Sequence, residues 1–311
     1  MKLIYIILFC FFYHNLIAED FRSRSSVNLI YQGDFMKKGN WRGNGFPKTM
    51  DSIVLKNGGH FVLQDDFTKS SRSQLFWLTV GENSEDVLEL TKFDFKEGAY
   101  LLLASNFSLG AASRDLDRLD PMTPIEFNMS GGELICNQFF VGGRSSDTWL
   151  AHNPAKFNMT GGIIRAHRFL CGHGEQPVEV NLTGGKIFLG SIEELVSYDH
   201  DEYYEYGDKH MHISAGEIAQ TTINWSILSR DYTQIIIEQG ATGTSNLRNA
   251  IVNFNLSLLR RPIELPLIDN RGTGKILDAD VTFNFYQLAS DLKAEVTKGD
   301  GNDWILSITK K

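Results

Sequence analysis

The chain has 311 residues, 42% of them hydrophobic and 22% charged, with 28 glycines and a formal charge of −8. That balance is too apolar for a disordered chain, and without a basic run it argues against nucleic acid, whose phosphates are held by clustered Lys and Arg. A mildly acidic surface favours solubility and cations over anionic lipid.

From the start, Met1 to Ala18 carries Lys2, an apolar run from Leu3 to Tyr13 and the small residue Ala18 before Glu19-Asp20. This is the pattern of a secretory signal peptide, too short and wrongly flanked for a spanning helix. No later stretch is long and apolar enough for one, so the mature chain is expected outside the cell or at its surface, with no membrane span. Residues 19–39 read as a leader or cap. Asn40 to Leu63 then brings Trp41, Gly43 and Pro47, a strand-like Ser52-Ile53-Val54-Leu55, the pair Gly58-Gly59 and an alternating His60 to Leu63. A divergent first unit is what a terminal coil needs in order to cover its exposed end.

The central stretch repeats one phrase three times: Phe127-Asn128-Met129-Ser130-Gly131-Gly132, Phe157-Asn158-Met159-Thr160-Gly161-Gly162 and Val180-Asn181-Leu182-Thr183-Gly184-Gly185. Apolar and polar residues alternate within it, the period of a strand with one buried face, and the glycine pair predicts a turn. A second mark, apolar-x-apolar-Gly, closes units at Gly81, Gly110, Gly142 and Gly172, which step by 29, 32 and 30 residues. A recurring unit of short strands with no helical period predicts an all-β chain: a single-stranded right-handed parallel β-helix, or β-solenoid, with terminal caps. In this register Cys136 stacks on Ala166 and Cys171 on Val141, on different faces, so both are expected as free buried thiols with no disulfide.

Beyond Gly190 the phrase weakens, then reappears at Met211-His212-Ile213-Ser214-Ala215-Gly216, with His212 in the slot of Asn128 and Asn158. Strands are expected at Gln234 to Glu238, Ala250 to Leu258, Ile263 to Ile268 and Val281 to Tyr286. Residues 40–232 are therefore assigned to the solenoid repeats, and 233–311 to closing coils and a C-terminal β cap.

Three of these features resemble secreted bacterial β-helix proteins with autotransporter-passenger-like repeats: the Trp41, Pro47, Asp51-Ser52-Ile53 opening, the Asn-Met/Leu-Ser/Thr-Gly-Gly coils, and the Gly299-Asp300-Gly301-Asn302-Asp303 ending. For that class the resemblance implies a right-handed parallel β-helix, export and a surface or structural role. In departure from that class, neither a translocator barrel nor an anchor helix after Trp304 is expected.

Candidate chemistry lies mainly in insertions that follow the apolar-x-apolar-Gly marks. Asp117 and Asp120, then Asp147, Trp149 and His152, then His173 and Glu175 would meet at one loop edge, and insertions on one side of a solenoid commonly form its binding face. A Trp among carboxylates is a sugar-binding arrangement, so extracellular glycans or other surface proteins are the partners this edge suits. His200, Asp208, His210 and His212 are metal-ligand candidates, although their spacing matches no established motif. Otherwise no cofactor is expected: Gly299 to Asp303 is read as a glycine turn before the final strand, calcium being the ion such a turn holds when several copies work in series. Six Asn-x-Ser/Thr triplets, at Asn106, Asn128, Asn158, Asn181, Asn224 and Asn255, would be glycan acceptors in a eukaryotic secretory protein; three of them share one repeat phase, which favours a structural cause, a stacked outward Asn with Ser or Thr before Gly-Gly. No spacing singles out an acid and a base. The expected role is thus a secreted or cell-surface, adhesin-like structural protein without catalysis; the alternative is a β-helix polysaccharide lyase or glycoside hydrolase.

Overall fold

The computed structural model describes residues 20–22, 31–34, 52–56, 59–67, 75, 77–82, 90–110, 124–142, 154–172, 176–190, 211–215, 220–228, 231–241, 243–299 and 302–311. These form a parallel β-solenoid, joined by hydrogen bonds into one sheet of 22 strands. Among the described residues no helix is long and apolar enough to cross a membrane.

Each coil contributes strands to three faces. The first face stacks Tyr31–Asp34, Gly59–Leu63, Thr91–Phe95, the beginnings of Ile125–Val141 and Ala155–Cys171, then Val178–Leu182, Thr221–Ser226, Ile251–Asn255 and Thr282–Tyr286. The second stacks Tyr100–Leu102, the middles of the two long strands, Lys186–Leu189, Gln234–Ile237 and the end of Ile263–Asn270. The third stacks Asp20–Arg22, Ser52–Lys56, Leu78–Glu82, Asn106–Leu109, the ends of the long strands, Met211–Ala215, Thr244–Asn246 and Ile276–Leu277. The ladder thus reaches upstream of Asn40, to two short strands within residues 20–34.

Strand alternation explains the lumen. On the first face Phe93, Phe127 and Phe157 stack at centroid separations of 5.3 and 5.4 Å. On the third, Phe107, Phe139 and Phe169 do the same at 4.9 and 5.5 Å, and all six are fully buried. Burying each phenyl ring contributes about 1.5–3 kcal/mol, and each ring pair about 0.5–1.5 kcal/mol more. Farther along, Trp225 stacks on Phe254, and its indole N–H donates to the Thr233 carbonyl oxygen at 2.8 Å, so the large ring is buried without an orphaned donor.

The glycine pair separates two strands, as the sequence suggests, at Gly184-Gly185, between Val178–Leu182 and Lys186–Leu189, but not in the first two copies of the phrase. Ile125–Val141 and Ala155–Cys171 run through it as continuous 17-residue strands that bend at the corner, with Gly132 and Gly162 at φ of 74° and 90°. A Cβ on Gly162 would lie 2.6 Å from the Gly131 carbonyl oxygen of the coil below. The position needs both the left-handed backbone and the missing side chain.

The last elements change direction. Trp304–Lys310 pairs antiparallel with both Ile263–Asn270 and Leu292–Lys298. Trp304, Leu306 and Ile308 are buried in the core, with Leu265 and Leu292. The turn before this strand closes when Gly299 N–H donates to the Asp303 carbonyl oxygen and the Asp303 carboxylate accepts from Asn270 N–H at 2.7 Å.

Candidate binding face

The first face carries a groove of about 610 Å³. Its rim is set by Leu90, Pro124, Pro154 and Pro177, each one residue ahead of a first-face strand. Proline is tolerated there because it stands just before the strand, where no ladder N–H is required of it. The carbonyls of Pro124 and Pro154 still accept, from Thr91 and Ile125 N–H at 3.1 and 3.0 Å. Each proline also ends one of the insertions that carry the loop-edge candidates, so those insertions return to the chain at the groove's rim.

Two outward rows follow the rim. Lys92, Glu126, Lys156, Glu179 and Thr222 stack in register and alternate in charge over the four coils from Lys92 to Glu179. Next come Asp94, Asn128, Asn158, Asn181, Asn224, Asn253 and Asn284. In this second row every asparagine amide donates to the side-chain oxygen one coil below, at 2.7–3.0 Å. Asn158, Asn181 and Asn224 spend a further N–H on a glutamate, Glu126 or Glu179. Four of the Asn-x-Ser/Thr positions are therefore rungs of one ladder.

The ladder ends on Asp94, whose carboxylate accepts from Asn128 and lies 2.7 Å from the His60 ring. Partial burial opposes ionisation of Asp94, but the Asn128 amide, the His60 ring and Lys92 more than offset it and hold the carboxyl below its ordinary range. Glu179 is held down in the same way: burial opposes, while Asn181, Lys156 and Asn224 prevail. Lys156 sits 3.2 Å from it. A general acid near neutral pH needs a shift in the other direction. These carboxylates are built to stay charged and bonded.

On the second face the guanidinium of Arg165 donates to Glu133 at 2.8 Å and lies 4.6 Å over the Phe188 ring. On the second and third faces Ile135, Phe140, Leu170 and Ile236 point away from the lumen yet are at most 4% exposed. Alternation alone had made these positions solvent-facing. The signal was the unbroken apolar run, Phe139-Phe140-Val141 and Ile235-Ile236-Ile237, which marks strands covered on both sides.

Asp117, Asp120, Asp147, Trp149, His152, His173, Glu175, His200, Asp208 and His210 lie outside the described residues. His212 falls on strand Met211–Ala215, but not in the slot expected for it. That strand belongs to the third face, with Ile213 over Phe169, and the next first-face strand is Thr221–Ser226, with Asn224 over Asn181. The phrase at Met211 is an apolar alternation of another face; the insertion before it opens between the second and third faces, not at the groove. Cys136 and Cys171 are free and buried, stacked on Ala166 and Val141, with burial pushing both thiols up. Among the described residues no three His, Cys, Asp or Glu side chains gather as a metal site.

No family model matches the chain, and no curated protein is similar to it.

Proposed function

We propose that this is an exported, surface-associated structural protein of adhesin-like type, which meets extracellular glycans or other surface proteins along its first face without catalysing a reaction. The observation that carries this reading is the asparagine ladder with its flanking charged row. It gives a long, stiff, nearly neutral strip in which hydrogen bonds are committed internally and Asp94 and Glu179 are held ionised. Such a strip suits repeated weak contacts along an extended partner better than proton transfer at one point. The proline rim supplies apolar contact beside it, and the loop-edge candidates from Asp117 to Glu175 are tethered to that rim. The Met1 to Ala18 leader supports export.

The test is a glycan-array screen with and without calcium, paired with an ultraviolet assay for unsaturated product on acidic polysaccharides. Binding without turnover, reduced by Lys156→Glu, is the expected result. Calcium-dependent product would replace this reading with a β-helix lyase.

A further inference from the structure

The three faces of the solenoid end differently. On the second face, Ile263–Asn270 is paired by the antiparallel strand Trp304–Lys310. On the third, Ile276–Leu277 is closed by side chains: Lys298 reaches the Ile276 carbonyl oxygen and, at 2.7 Å, the carboxylate of Asp278, which also accepts from the Trp304 indole N–H. On the first face, among the described residues no strand pairs with the outer edge of Thr282–Tyr286.

The strand itself carries no Lys, Pro or bulge of the kind that usually blunts an edge, although Phe283 meets the Trp304 ring of the C-terminal cap at 5.1 Å. Thr282 N–H donates to Ala250, and the Tyr286 carbonyl accepts from Leu256, so residues 282, 284 and 286 direct their backbone groups inward. Phe283 and Phe285 therefore direct theirs outward. Their rings are only half-buried, whereas Val252 and Phe254 beneath them are fully buried. Tyr286 and, in the neighbouring turn, Leu258 are 51% and 60% exposed, two of the three large apolar side chains that stand out from the described surface. Asn284 donates one N–H to Asn253, leaving its second N–H and its oxygen without partners among the described residues.

We infer that this edge is an interface for a second copy of the chain, joined end to end by antiparallel pairing of Thr282–Tyr286 with itself about a twofold axis through Asn284. The complementarity is internal to the strand. With Asn284 opposite Asn284 of the second copy, Phe283 falls opposite Phe285, and the outward backbone groups of each meet those of the other in hydrogen-bonded pairs. Asn284 then occupies the non-hydrogen-bonded position, where side chains approach most closely, and the two amides can exchange an N–H for an oxygen reciprocally. The half-buried phenyl rings gain cross-strand aromatic neighbours.

Light scattering coupled to size exclusion on the purified full chain tests this through the outermost pair of that register, Thr282 opposite Tyr286 of the second copy. Both side chains are exposed, so charges there leave each chain's core intact. The wild type is expected at the mass of two chains, Thr282→Lys with Tyr286→Lys at the mass of one, and Thr282→Lys with Tyr286→Glu at two again. A wild type that stays at one chain as concentration rises overturns the proposal, whether the edge is idle or reserved for a different protein. So does a double-lysine variant that still dimerises, or a lysine–glutamate variant that does not recover.

Discussion

At the scale of single residues, Gly162 and Asp94 carry distinct burdens. Gly162 holds a left-handed backbone against the carbonyl of the coil below. Gly162→Ala is expected to cost about 1–3 kcal/mol from backbone strain alone, with the steric conflict added. Urea unfolding should show the loss as a lower midpoint with an unchanged slope. For Asp94 the folded pKa lies below the unfolded one, so its contribution is present above the ordinary carboxylate range and is lost as pH falls through the lowered folded value. Asp94→Asn keeps an acceptor for Asn128 and removes the titration. Its stability should fall less steeply between neutral and acid pH than the wild type's, as read from urea midpoints across that interval.

At the scale of strands, the stack at Met159 tests the inward assignment. Met159 is fully buried between Met129 and Leu182. Met159→Asp places an unpaired charge there and should cost about 3–5 kcal/mol, seen as a large drop in thermal midpoint. Asn181→Ala removes donors to Asn158 and Glu179 and the acceptor for Asn224. Because the row is half-buried, the cost should be smaller, about 1–2 kcal/mol by chemical denaturation.

The coils from Phe127 to Leu189 were legible in the sequence because Asn and Gly-Gly mark one phase three times, and the observed register sets Asn128, Asn158 and Asn181 over one another as the phrase implies. The phase was lost at Met211, where a 20-residue insertion follows Gly190 and the true first-face strand, Thr221–Ser226, has no glycine pair after it. The groove was not legible either. Pro124, Pro154 and Pro177 read singly as loop ends, and only stacking turns them into a rim.

At the scale of the molecule, one continuous core threads the coils and the antiparallel hairpin at the C-terminal end. Cys136 sits in the second-face stack and Cys171 in the third, both at or near complete burial. Neither should react with a thiol reagent until the surrounding coils open, so labelling should follow the unfolding curve. Labelling that runs ahead of unfolding would place the weakest coils at those two levels.

The asparagine ladder also bears on how the chain finds its own alignment. Hydrophobic alternation is satisfied equally by a coil that slides two residues along its neighbour, since every side chain keeps its face. Such a slide would set Asn158 against Glu126 instead of Asn128, and no continuous amide row could form. The ladder thus acts as an address written on the outside of the sheet, telling neighbouring strands which of several equally oily alignments is the native one.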